Sequence, residues 1–512
     1  ITSKLDYLSD LGINLIWVCP FYDSPMDDNG YDVRDYYKVS KDYGTIEDVE
    51  NMLKEAHKRN IKVMFDLVMN HTSDENKWFI QSENKQNGYE YFYIWEKPFF
   101  NRRGKMKPPT NWESIFGGSA WKYSHKRKEY YLKLFSDKMP DLNWKNPKVY
   151  GELSKMVNWW IDKGVDGFRI DAIAHIGKAP YRDVILKRNS YKKFSNLDLP
   201  HQILNKFNVQ IFADKQIATI GEIGGQPSFE TMLSYTLPKN KELNMIFTFN
   251  HVYCNNAIKA KNENELKTDI RKLKKVLLEN EKMIDQGGWL GIYWTNHDHP
   301  RFASLYGDKQ YKLESITSYA CAMYFLRGTP FIYNGEEIGM SNYPFKDETD
   351  FNDVNARTLL RVSKDTEKTL NYLRLTSRDN ARTLMQWNSK KYAGFSDAKP
   401  WFKLNPNYKD INVADQIEDN NSLLNHYKKI ISLRREYQDL LVYGSFKEVK
   451  INKNVFSYIR ETDNNVRLQV IANLSNNEIR CILSRYNKVL YSNYEELKNG
   501  KLRPYECLVL KL

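Results

Sequence analysis

Residues 164–175 read GVDGFRIDAIAH. An apolar run containing Val165, Phe168 and Ile170 carries Arg169 and Asp171 two residues apart, on the same side of an extended backbone. A guanidinium beside a carboxylate favours the ionised acid, which suits a nucleophile. Three other strand-like runs also end in polar side chains. One closes as DLVMNHTSD, with Asp66, Asn70 and His71; one as TIGEIGG, with Glu222; one as YWTNHDHPRF, with His297 and Asp298. Each residue has a plainer reading taken alone. An Asp at a strand end caps a helix, and a lone histidine belongs to a core. Four independent coincidences of that kind make a poorer account than one shared rim. Carboxylates with histidines could ligate a metal, or two carboxyl groups could cleave an acetal. Arg169 weighs against the metal, because a fixed cation beside Asp171 repels one. A second carboxyl group carrying a proton then supplies the general acid. These are the parts of a retaining glycosidase, whose carboxyl groups stand about 5–5.5 Å apart.

The elements that must position these groups follow from periodicity. The runs 13–18, 61–68, 165–170, 217–223, 289–294 and 329–334 are short and apolar, with helical patterns between them, such as YGELSKMVNWWIDKG ending at Gly164. Strand alternating with helix predicts a parallel sheet, and the number of units favours a closed (β/α)8 TIM barrel of the α/β class. Residues 72–145 are rich in Asn, Trp, Tyr and Pro with little helical periodicity, and predict an inserted, loop-rich domain B. From 443 to 512 the pattern alternates between turns and predicts a small antiparallel β domain. The barrel, domain A, then takes 1–71 and 146–442.

Bulk properties narrow the classes. The 512 residues exceed one ordinary domain and include 35 Tyr and 24 Phe, enough for a large core and compatible with sugar-binding faces. The net charge of +13 does not predict a nucleic-acid partner, because the lysines are interleaved with acids, as in NENELKTDIRKLKKVLLENEKM. The five cysteines are widely spaced, with no CxxC, and Cys19, Cys321 and Cys507 lie in apolar runs, which predicts buried thiols and a cytoplasmic protein. No run is long enough for a membrane span. The expected partner is a small oligosaccharide, with a monomeric chain, no membrane and no cofactor.

The strings DLVMNHTSD, MPDLNW, GFRIDA, GEIGG and NHDHPR, in that order, resemble the conserved regions of the α-amylase family of glycoside hydrolases. DDNGYDVRDYYKV, NWESIFGGSAWKY and TSRDNARTLMQW narrow the resemblance to its oligo-1,6-glucosidase and α-glucosidase branch. The resemblance implies Asp171 as nucleophile, Glu222 as acid/base, and Asp298 as the carboxylate on the sugar's 2- and 3-hydroxyls. It implies that Arg169, His71 and His297 orient and charge-stabilise the glucosyl unit. Asp28 and Tyr31 would close the non-reducing end, Arg378 would face that Asp, and Phe116 and Phe135 would wall the cleaved bond. A pocket closed at one end takes a single glucose, so the resemblance implies exo-action on short substrates, and it implies a barrel domain A, an inserted domain B and a C-terminal β-sandwich, domain C.

The sequence departs from the family at three places. A first barrel strand and an Asp-rich calcium loop are expected ahead of the opening helix and are not present. Seven strands are therefore expected, no metal site is carried over, and an inactive truncated member is one alternative. Met139 stands where many oligo-1,6-glucosidases have Gln. Ala172 follows the nucleophile where Val accompanies α-1,6 preference, so the resemblance favours α-1,4 cleavage of maltose- or sucrose-like substrates. Phosphotrehalose hydrolysis and transglucosylation or isomerisation of sucrose remain alternatives, because each uses the same glucosyl-enzyme intermediate.

Overall fold

The computed structural model describes residues 1–498 and 500–512. The chain forms two compact units. The first comprises Ile1–Thr248, Gly287–Trp289 and Asp353–Val362; the second comprises Phe249–Gln286, Leu290–Asn352 and Ser363–Leu512.

In the first unit, five parallel strands lie side by side in the order Leu15–Val18, Lys62–Val68, Gly167–Asp171, Ala218–Ile223 and Met245–Thr248. The strand Gly167–Asp171 is buried along its whole length, and Lys62–Val68 is buried after its first residue. Their near-continuous apolar character is what a sheet covered on both faces requires. The register sets Arg169 opposite Asp66 and Asp171 opposite Val68. Parallel strands in register bring their C-terminal ends to one side, so Asp171, His71 and Glu222 share that rim.

The helices between strands carry the expected end signals. Ile46–Lys58 starts at a capping box formed by Thr45 and Asp48, and Pro147–Asp162 starts at Asn146 with Pro147 in its first turn. The segment 72–145 contains a three-stranded antiparallel sheet, Trp95–Glu96, Glu129–Leu132 and Trp121–Ser124. Trp112, Trp121, Leu132 and Leu134 form its core, together with Val184 and Phe194. It also holds a helix, Lys77–Glu83, capped by Asn76, which the weak periodicity did not reveal.

In the second unit, Gly291–Ile292 and Thr329–Pro330 pair in parallel. The helix Lys312–Tyr324 is buried from Ser315 to Tyr324, which explains its lack of a polar face. The C-terminal sheet is antiparallel throughout, in the order Ser445–Glu448, Val455–Glu461, Arg467–Asn473, Cys507–Lys511 and Lys488–Ser492. A second pair, Ile479–Arg480 with Lys501–Leu502, packs Ile479 and Leu502 against Val455, Ile471 and Leu508.

Three expectations need correction. The strand Met245–Thr248 was missed, because it is only four residues long and its apolar run, Met245–Phe247, only three. The runs at 289–294 and 329–334 shrink to two paired residues each. Cys19 is exposed, whereas Cys321 and Cys507 are buried. Cys19 follows Leu15–Val18, an outer strand of the five-stranded sheet that is only half-buried, so apolar neighbours in sequence do not cover it. All five cysteines are free thiols. No helix among the described residues is long and apolar enough to cross a membrane.

Candidate active site

At the rim of the first unit a single guanidinium gathers three carboxyl groups. Arg169 Nη1 donates to Asp171 Oδ1 at 2.7 Å and to Asp66 Oδ1 at 2.7 Å. Its Nη2 donates to Glu222 Oε2. The sequence reading gave Arg169 to Asp171 alone; in the fold it is shared with Glu222 and Asp66. The ring of Trp17 lies 4.9 Å from the guanidinium carbon, and those of Tyr31 and Phe247 lie 5.6 Å away. These faces are attractive to a desolvated cation. Burial alone would lower the pKa of Arg169, but the carboxyl groups around it outweigh that and raise it well above its ordinary value.

Asp66 is fully buried and also accepts from Tyr31 Oη at 2.9 Å and Trp17 Nε1 at 3.2 Å. Burial raises its pKa to about 6, against the opposing pull of Arg169 and Tyr31. One cation cannot neutralise three ionised carboxylates in a dry site, so the cluster retains a proton into mildly acidic solution.

The loop carrying Asp28 and Tyr31 is organised by Asp32, which the sequence reading did not single out. Its carboxylate accepts from Ser24 Oγ and from the backbone N–H groups of Asp27 and Asp28. Gly30 has φ 96°, and a Cβ there would meet the Pro20 carbonyl oxygen at 2.7 Å, so only glycine fits the turn. Asp28 and Tyr31 are both buried.

His71, three residues beyond its strand, packs its ring 5.1 Å from that of Phe135, which in turn meets Phe116 at 5.4 Å. Both phenylalanines are half-buried. Burial lowers the pKa of His71 to about 4, so its ring is neutral at pH 7. Ala172, directly after Asp171, takes a left-handed backbone with φ 48° and ψ 36°. That conformation is unusual for a residue with a Cβ.

The second unit carries a centre of opposite composition. Asp298 Oδ1 accepts from Arg378 Nη1 at 3.3 Å and Arg382 Nη2 at 3.5 Å, and Oδ2 lies 3.3 Å from His297 Nε2. Burial would raise its pKa, but His297, Arg378 and Arg382 overcome that and push it well below the usual carboxylate range. An Asx turn, Asp298 N to Asn296 Oδ1 at 2.8 Å, sets its backbone. Arg382 was missed, although TSRDNARTLMQW carries it four residues after Arg378.

A protein-family model described as the alpha amylase catalytic domain matches residues 1–444. The chain belongs to the alpha-amylase family. It is 40% identical to an oligo-1,6-glucosidase of Bacillus cereus, an alignment covering 100% of this chain and 94% of that protein. The trehalose-6-phosphate hydrolase of Bacillus licheniformis superposes with a TM-score of 0.89 at 37% identity, over 99% of this chain and 94% of that one. The isomaltulose synthase of Klebsiella sp. LX3 superposes with a TM-score of 0.93 at 34% identity, over 100% of this chain and 94% of that one. This member of the alpha-amylase family is a glycoside hydrolase. It has the family's TIM-barrel fold, with an antiparallel β domain at its C-terminal end.

Proposed function

We propose that the protein is an exo-acting, retaining α-glucosidase that removes terminal glucose from the non-reducing ends of short oligosaccharides. One observation carries this reading: Asp171 and Glu222 sit on the two terminal nitrogens of one guanidinium. A single guanidinium spans the scale of the ~5–5.5 Å carboxyl separation that retaining enzymes use, whereas inverting pairs need room for an intervening water.

In the proposed reaction Asp171 attacks the anomeric carbon as the bond from that carbon to the glycosidic oxygen breaks, and Glu222 gives its proton to the departing oxygen. Glu222 must carry that proton when substrate is bound, so its contact with Arg169 must open, leaving Arg169 on Asp171. Water then adds to the anomeric carbon as Asp171 leaves, and Glu222 takes the water's proton. Glucose departs with its configuration retained. By their motifs, Asp298 is the carboxylate for the 2- and 3-hydroxyls, and His71, His297 and Arg169 orient the glucosyl unit. Asp28, Tyr31 and Arg378 close the non-reducing end, and Phe116 and Phe135 line the side of the leaving group.

Ala172 favours α-1,4 linkages in this reading. The α-1,6 linkage is the second reading, favoured by the name of the Bacillus cereus relative. The test is glucose release from maltose, isomaltose, sucrose and trehalose 6-phosphate, with the anomer of the first product followed by NMR. We expect α-glucose from maltose and at least a 10^4-fold loss in Asp171→Asn. Initial release of β-glucose, or an Asp171→Asn variant that keeps its rate, would sink the retaining mechanism. Dominant release from isomaltose would decide for the second reading.

A further inference from the structure

Asn70 lies two residues beyond the buried strand Lys62–Val68, and its side chain is fully buried. Its role emerges from what surrounds it. Lys178 is also buried, and its ammonium makes three contacts: Asp141 Oδ2 at 2.7 Å, Asn70 Oδ1 at 2.9 Å and the His175 carbonyl at 2.6 Å. An ammonium has three donors and no acceptor, so the side of the Asn70 amide that faces it must be the oxygen. The nitrogen then points the other way, and Asn70 Nδ2 lies 3.2 Å from Asp141 Oδ2 and 3.2 Å from His71 Nδ1. A cation at the oxygen and a carboxylate at the nitrogen hold the amide in one of its two orientations.

That orientation decides where the proton of His71 resides. An amide N–H can only donate, so Nδ1 accepts, and the hydrogen of the neutral imidazole belongs on Nε2. His71 Nε2 is buried and has no hydrogen-bond partner among the described residues. The backbone of Tyr31 also favours a proton on the ring. A buried N–H left without a partner is unfavourable, so a ligand oxygen that accepts from it is favoured. By contrast, the next histidine on this rim, His175, places Nδ1 2.8 Å from the Phe194 carbonyl and satisfies itself within the fold.

We propose that Lys178 and Asn70 are positioning residues that fix His71 as the Nε2–H tautomer, so that it meets the sugar as a neutral hydrogen-bond donor. The sugar arm of this inference rests on the glucosidase reading; the tautomer does not. His71 then orients an acceptor oxygen of the glucosyl unit by a directed N–H and adds no positive charge of its own. Arg169 remains the cation on Asp171 and Glu222.

The test is 15N NMR of the full chain labelled at its nine histidines, with His71→Gln identifying the His71 signals by their loss. Near pH 7 we expect a protonated, pyrrole-like Nε2 and an unprotonated, pyridine-like Nδ1. Asn70→Asp replaces the donor with an acceptor and should move the proton to Nδ1, with kcat/KM falling about tenfold, the value of one hydrogen bond. Lys178→Arg keeps a cation at the Asn70 oxygen and should retain the Nε2–H pattern. A pyridine-like Nε2 in the unmodified protein would overturn the proposal, as would an Asn70→Asp variant that keeps the native pattern. Should Asn70→Asp fail to fold, the unmodified spectrum decides alone. A chain with the expected tautomer that releases no glucose would defeat the glucosidase reading and leave this one standing.

Discussion

At Arg169 one cation faces three carboxyl groups; at Asp298 one carboxylate faces two arginines and a histidine. Loss of water raises the carboxyl pKa at both centres, and whether the partners overcome it sets the sign. Burial makes Asp66 hold its proton to about pH 6, because the guanidinium that it shares with Asp171 and Glu222 does not offset the loss of water. Surplus cation around Asp298 makes that carboxyl give its proton up more readily than usual. A proton-donating step belongs near the first kind of centre and a permanently anionic contact belongs at the second. The two environments therefore suit the roles proposed for Glu222 and Asp298.

The largest test of this contrast removes one cation from each centre. Arg169→Met strips the shared guanidinium from the buried Asp66 and Asp171 and the partly buried Glu222, and should cost roughly 3–5 kcal/mol of stability. Arg382→Met leaves Asp298 with Arg378 and His297, and should cost about 1 kcal/mol. Chemical unfolding of both variants gives the comparison. Equal losses would mean that Arg169 is not the unique keystone that its three carboxyl contacts imply.

Much of this was legible in the sequence because it lies within short motifs. Arg169 and Asp171 are two residues apart on one strand, and His297 adjoins Asp298, so their association needs only the local backbone. What was hidden depends on chain distance. Lys178 and Asn70 are 108 residues apart, and nothing in either segment announces the other. Trp17, Phe247 and Asp66 meet Arg169 through the register of neighbouring strands, which an apolar run does not disclose. Cys19 was misplaced for a related reason: local apolar character says nothing about which strand lies at the edge of a sheet. Short elements failed too, since four residues at Met245–Thr248 carry too few periods to separate a strand from a loop.

The pH dependence of stability sharpens the contrast further. Asp66 has a folded pKa near 6 against an ordinary value of 3.8, so the folded chain binds more protons than the unfolded one between those limits. Stability contributed by Asp66 is therefore present below about pH 4 and lost as pH rises through 6. Asp32, raised to about 6 by burial, acts in the same direction. Asp298 has the opposite sign: its contribution is present above the ordinary carboxylate value and is lost only as pH falls below it. Asp66→Asn should flatten the stability profile between pH 4 and 6 by about 2 kcal/mol, while Asp298→Asn should leave the shape of that window unchanged. Unfolding free energies at pH 4, 5, 6 and 7 would check both, and a flattened profile in Asp298→Asn would show that the centres are not opposites.

The smallest effect concerns the backbone. Ala172 holds φ 48° immediately after Asp171, whereas His299, after Asp298, is not among the described residues with positive φ. A left-handed conformation costs an L-residue roughly 1–2 kcal/mol, and glycine would relieve it while losing part of the gain to unfolded-state entropy. Ala172→Gly should therefore gain up to about 1 kcal/mol, and Ala172→Val should lose a similar amount, because a branched side chain suits positive φ worst. This bears on any use of Ala172→Val to probe linkage preference: the ratio of isomaltose to maltose turnover is meaningful only at a temperature where the variant is fully folded. If Ala172→Gly gains stability but loses kcat, the strained turn helps to aim Asp171. If it gains stability and keeps kcat, the turn is a by-product of the strand ending beside its neighbour, and the carboxylate is aimed by Arg169 alone.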